Sequence, residues 1–159
     1  MSIDWPSWLV WGVTSTILLA SIFALTQGVG MTRMSIPYVL GSMVTRDRDR
    51  ARIVGIGLHI VNGIVFSLAY AIAFEVWGGA TWLRGALLGL LHTVFVLGVL
   101  MPAMPGMHPA MASERRGPTV VRQLEPPGFF GLNYGIQTPL TVLVAHLAFG
   151  ILFGAMYRV

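Results

Sequence analysis

Residues 53–76 read IVGIGLHIVNGIVFSLAYAIAFEV, with a single charge, Glu75, in the penultimate position. A helix that crosses a bilayer needs about 20 predominantly apolar residues, and this run supplies them. The same test finds three more windows, roughly Trp8–Gln27, Trp82–Met101 and Pro139–Tyr157. Composition agrees. Of 159 residues, 55% are hydrophobic and 10% charged, where a soluble domain carries about 25% charged residues. The sequence therefore predicts an all-α fold: one integral membrane domain over residues 1–159, built as a four-transmembrane-helix bundle. Segment 102–138 is a long proline-rich cytoplasmic loop between helices 3 and 4.

The chain has no cysteine, and all ten of its basic residues are arginine. Disulfides and thiolate metal sites are excluded, and so is a lysine Schiff base such as bound retinal requires. The arginines are unevenly placed. Arg33, Arg46, Arg48, Arg50 and Arg52 lie between the first two windows, and Arg115, Arg116 and Arg122 between the last two. Only Arg84 and Arg158 fall on the other side. Short arginine-rich loops stay cytoplasmic, so both termini are expected outside. The basic balance thus reports topology, and no nucleic-acid partner is expected. The N-terminal MSIDWPSW lacks a basic region and a small-residue cleavage site, so the first window reads as a retained helix.

Local signals refine the boundaries. Trp5, Trp8 and Trp11 suit the membrane interface, and Gly28 and Gly30 supply a stop. Residues 31–44, MTRMSIPYVLGSMV, are too short to span; they either lie along the inner surface or form an ordinary loop. Asp47 and Asp49 favour a helix start, and Glu75 and Arg84 flank an outer turn across which they can pair. Thr138-Pro139 reads as an N-cap followed by an N1 proline. Loops as long as 102–138 are uncommon unless functional or disordered. Its LEPPGFFGLNYG stretch, residues 124–135, is aromatic and glycine-rich, and is expected to fold back on the cytoplasmic mouth.

Three of the four histidines fall inside windows. His59 lies about 10 Å from the inner end of its helix at 1.5 Å per residue, His146 about 10 Å and His92 about 13 Å. Alternating chain direction brings all three to nearly one level. Each has glycines along its face: Gly55 and Gly63 around His59, Gly85 and Gly89 before His92, Gly150 and Gly154 after His146. Glycine lets either a helix or a flat ligand approach closely. Neutral imidazole is a good transition-metal ligand. The three histidines are therefore candidate ligands for a transition metal or a haem-type tetrapyrrole, with Gly55, Gly63, Gly89 and Gly150 clearing room for it. The plainer reading is interhelical hydrogen bonding without any metal.

Asn62 is three residues after His59 and is a candidate to orient it; Tyr70 lies further along that face. His108, in MPGMHPAM, either caps the histidine site from the cytoplasmic side or is an interfacial histidine, and it is read as the latter. Met101, Met104, Met107 and Met111 around it have the softness of copper ligands, but their spacing is equally that of a proline-broken apolar surface, the reading taken here. Span centres contain no Asp or Glu, which argues against a carboxylate proton relay or di-iron site.

The stretches TRDRDRARIVGIGLHIVNGIVFSLAYAIAFE, RGALLGLLHTVFV, MPGMHPAM and LEPPGFFGLNYGIQTPLTVLVAHLAFGILFGAMY resemble a group of small bacterial inner-membrane proteins. The likeness covers most of residues 31–157. It implies a multi-pass, four-helix protein of the bacterial inner membrane, and it carries over no activity and no functional residue. Three functions follow as expectations. The first is a membrane protein binding haem or a transition metal through His59, His92 and His146, as a small subunit of a redox or photosynthetic complex. The second is a non-catalytic subunit that stabilises a larger membrane complex. The third is a small transporter or channel, weakened by the lack of a midplane charge and of an internal repeat. Catalysis of its own is not expected. The partners are the lipid bilayer and either other membrane subunits or further copies of the chain.

Overall fold

Asp4 opens the first helix by accepting a hydrogen bond from the Ser7 amide at 2.9 Å, with Pro6 in the first turn. This helix, α1 (Trp5–Gly28), ends where Gly30 takes a left-handed backbone, φ 80°. A short helix, α2 (Ile36–Gly41), follows. Asp47 then caps α3 (Arg48–Val76), accepting from the Arg50 amide at 2.8 Å. Thr81 caps α4 (Trp82–Phe95). A π-helical turn, Val96–Leu100, joins α4 to α5 (Met101–Met107), and a 3-10 segment, Phe129–Tyr134, precedes α6 (Thr138–Met156). The computed structural model describes residues 2–113 and 116–159; Arg115, counted above among the basic loop residues, lies outside them.

The chain is an all-helical, multi-pass membrane protein with four helices long and apolar enough to cross a bilayer: Trp5–Gly28, Arg48–Val76, Trp82–Met107 and Thr138–Met156. The third runs six residues beyond the expected Met101, through Pro102 and Pro105. Proline normally breaks a helix because its ring meets the carbonyl four residues back and its amide lacks a hydrogen. The wider π turn directly before Pro102 relieves the first problem, and Pro105 falls in the last turn.

Contacts set the helix directions, α1 antiparallel to α6 and α3 parallel to it. At one end Thr32 and Thr138 hydroxyls meet at 2.8 Å, and the Arg33 amide donates to the Tyr134 carbonyl at 2.7 Å. At the other, Tyr157 donates to Glu75 and the Arg158 amide donates to the Ser7 hydroxyl. Two local expectations change. Thr138 does not cap α6; it is the first helical residue, and its hydroxyl is taken by Thr32. Glu75 and Arg84 do not pair: Glu75 accepts from Tyr157, while Arg84 reaches the Gly79 carbonyl and lies over Trp77.

Small residues set the helix spacing. On α4, Gly85 and Gly89 face Gly150, Gly154 and the His146 carbonyl of α6 so closely that a Cβ at any of these glycines would strike opposing backbone. Gly41 and Gly55 lock α2 onto α3 in the same way, through the Ala51 and Pro37 carbonyls. Between α1 and α3, Gly12 receives Ser67 and Gly63 receives Thr16. In contrast α3 and α4, though joined by a tight turn, meet mainly through side chains: Phe66 and Tyr70 pack on His92, at 4.2 and 5.9 Å between ring centroids.

Candidate intramembrane histidine site

Behind that side-chain seam lies a cavity of about 140 Å³. His59 and Asn62 from α3, His92 from α4 and His146 from α6 all line it, so the structure brings the three intramembrane histidines to one space. The rest of the wall is apolar and includes Phe66, Phe149 and the thioethers of Met34, Met101 and Met104. Asn62 is exposed and so stands at the rim, on the α3 side of the seam.

The three imidazoles differ in their bonding. His146 is buried, and its Nδ1 lies 2.8 Å from the Val142 carbonyl. A carbonyl can only accept, so Nδ1 carries the hydrogen, and the neutral ring keeps its lone pair on Nε2. His92 Nδ1 meets the Tyr70 hydroxyl at 3.2 Å, and its ring lies edge-on to that of His146, 4.5 Å between centroids. His59 Nε2 is buried and has no hydrogen-bond partner among the described residues. The Asn62 carboxamide forms no hydrogen bond with His59 or any other described residue, so it does not orient that ring in this structure. Among the described residues, no three His, Asp or Glu side chains stand together in a metal-binding group.

The glycines do not clear room for a bulky ligand. Gly55 is filled by Pro37 backbone, Gly89 by His146 backbone and Gly150 by Gly85 backbone. Gly63 touches the cavity, but its open side takes the Thr16 side chain. Of the two partners that glycine admits, a helix or a flat ligand, the helix occupies the space at these positions.

His108 directly follows α5, at the end of the third long helix. It is 4% exposed, with Nε2–H donating to the Val39 carbonyl at 2.8 Å and Nδ1 accepting from the Ala110 amide at 3.2 Å. It thereby staples the chain after α5 to α2, which forms part of the cavity wall through Ile36, Val39 and Leu40. Nothing in the local spacing of MPGMHPAM signals this, because the partner is 69 residues away in sequence. The segment beyond it is tied back too. Arg33 pairs with Glu125 at 3.2 Å, Tyr134 donates to the Glu125 carbonyl at 2.7 Å, and Gly131 sits against Met101 and Thr138.

No family model, curated protein or solved structure matches the chain.

Proposed function

We propose that this is a protein of the bacterial inner membrane, with both termini outside and segment 108–137 cytoplasmic, whose cavity takes a single transition-metal ion through its histidines. The carrying observation is the buried, unpartnered Nε2 of His59. Leaving such a group unsatisfied costs about 1–3 kcal/mol, and a ligand at that nitrogen removes the penalty. Size argues for an ion over a haem. An apolar cavity of about 150 Å³ accepts a benzene-sized guest, whereas pockets for drug-sized ligands run to about 300–1,000 Å³. At about 140 Å³, this one has no room for a macrocycle, and helix backbone fills the glycine faces that would have provided it.

The donors are imidazole and thioether, a soft set that favours copper in its monovalent state. His59 and His146 would hold the ion by Nε2. The Val142 carbonyl fixes the His146 tautomer in the manner typical of ligating histidines. Tyr70 orients His92, and the apolar wall excludes water. Bound there, an ion would supply a one-electron redox or Lewis-acid centre, which suits a small subunit of a redox complex with no catalysis of its own. The packing-subunit reading also has an observation in its favour: His92 is already engaged by Tyr70, Phe66 and His146, as an interhelical packing histidine would be.

The test is metal retention by the purified protein in lipid nanodiscs, loaded separately with monovalent copper, zinc and haem and then desalted. Wild type is expected to keep copper in stoichiometric amount, and His59→Ala and His146→Ala to lose it with helicity unchanged. Wild type that retains no metal, or equal retention in all three proteins, overturns the reading.

A further inference from the structure

Asn62 is the middle residue of α3, which at 29 residues is the longest helix of the chain. A helix of that length rises about 43 Å at 1.5 Å per residue, more than the roughly 30 Å of bilayer hydrocarbon. Its centre therefore sits near the membrane midplane. There Asn62 is exposed, and its carboxamide has no hydrogen-bond partner among the described residues. Lipid chains offer neither donor nor acceptor, and polar side chains at such depth turn inward or find a partner. Asn62 borders the cavity rim, but within one copy of the chain its carboxamide finds no partner among the described residues.

We infer that a second copy of this chain, inserted in the same orientation, covers this face, with the two Asn62 side chains bonded across a two-fold axis. The occupant follows from the chemistry of the group. A carboxamide carries two N–H donors and a carbonyl acceptor, so two identical ones satisfy each other reciprocally, and a two-fold contact places identical residues opposite each other. A single asparagine in an otherwise apolar helix contact is a known means of fixing register and oligomeric state. The flanking surface fits. Val65, 62% exposed, and Ala69, also exposed, continue the Asn62 stripe at helical spacing, offering short side chains that let helices come close. The same contact would close the cavity rim at the α3–α4 seam, where Asn62 stands.

The chain lacks cysteine, so single-cysteine crosslinking of the full-length protein in vesicles is free of background. Ala69→Cys is expected to form a disulfide-linked dimer on mild oxidation. Ile17→Cys, on the exposed side of α1 and level with Asn62, as the neighbouring Thr16–Gly63 contact shows, is expected to stay monomeric. Energy transfer between labelled copies, followed as the protein is diluted in lipid, measures the equilibrium. Asn62→Leu should raise the dissociation constant about tenfold or more, consistent with two lost intramembrane hydrogen bonds, while Asn62→Gln, which keeps the carboxamide, should retain most of the association. Leucine suits a membrane helix, and circular dichroism checks that the variant is folded. A monomeric wild type, an Asn62→Leu variant that associates as tightly as wild type, or equal crosslinking at positions 17 and 69 overturns the inference. So does an Asn62→Leu variant that loses bound metal while association is untouched, because Asn62 would then serve the cavity.

Discussion

A methyl group added to Gly89 would come within 2.5 Å of the main-chain carbonyl oxygen of His146. The contact that clamps α4 to α6 therefore lies directly beside the histidine pair, since His92 is one turn along α4 from Gly89. The proximity of the His92 and His146 rings is a consequence of glycine-mediated helix packing, in place whether or not anything binds between them.

Gly89→Leu should force α4 away from α6. Overpacking a tight contact costs about 1–3 kcal/mol, and backbone on the opposing side makes the upper end of that range the expectation. Gly57→Leu is the control: Gly57 is exposed on α3 with open space beside it, and a substitution there should stay within about 0.5 kcal/mol. Reversible unfolding in mixed detergent–lipid micelles measures both. Equal stability of the two variants would refute the clamp.

At Gly63 the expected damage is helix separation, because the added side chain meets Thr16 on α1. Gly63→Leu should lower stability, and Thr16→Gly should recover part of the loss by returning space. The four-variant cycle of unfolding free energies reads the coupling directly. Strict additivity would mean that the two residues do not share the contact.

Much of this fold is legible from hydropathy, because the bilayer requirement is so strict that four apolar windows leave little choice. The helix ends were less so. Pro102 and Pro105 read as a stop, and only the π turn before them, invisible in residue types, lets the helix continue to Met107. Helical rise alone brought His59, His92 and His146 to one level, and they line one cavity. Whether their glycines faced a ligand or a helix was undecidable from spacing, because both demand the absence of a Cβ. The bond from His108 to the Val39 carbonyl, 69 residues away, was not legible, because a single sequence gives the depth and face of a residue but not which distant segment covers it; for Asn62 the spacing to His59 gave a shared face but no bond.

His108→Ala removes the bonds to Val39 and Ala110 and leaves a hole in a buried position. A loss of about 1–3 kcal/mol is expected, felt most by the contact between α2 and the chain after Met107. Limited proteolysis between residues 109 and 137 should therefore accelerate by about tenfold or more, since 1.4 kcal/mol corresponds to a factor of ten, while the four long helices stay protected. Unchanged cleavage would show that the other ties of this segment suffice without the staple.

Orientation is testable without purification. Arginine placement puts the segment between the third and fourth long helices, residues 108–137, in the cytoplasm and both termini outside. A reporter that fluoresces only in the cytoplasm should stay dark when fused after Val159. A bright fusion would reverse the orientation and would move Arg33, Glu125 and Tyr134 to the outer side, leaving the four-helix architecture untouched.

Tyr134 makes the docking of that segment sensitive to alkali. Its hydroxyl donates to the Glu125 carbonyl at 2.7 Å. Burial, reinforced by the nearby Glu125 charge and opposed by Arg33, pushes its pKa up to about 12 from the usual 10. The docked state thus holds the phenolic proton more tightly than the released one. Its contribution is fully present below about pH 10, where both states are protonated, and is lost as pH rises through the window from about 10 to 12. Protection of residues 109–137 against a protease that works in alkali should fall over that window in step with tyrosinate absorbance. Tyr134→Phe cannot ionise and lacks the hydrogen bond, so its protection should start lower at neutral pH and lose the part of the alkaline decline that Tyr134 supplies. An identical decline in both proteins would assign the sensitivity to some other group, and wild-type protection that persisted through pH 12 would refute it altogether.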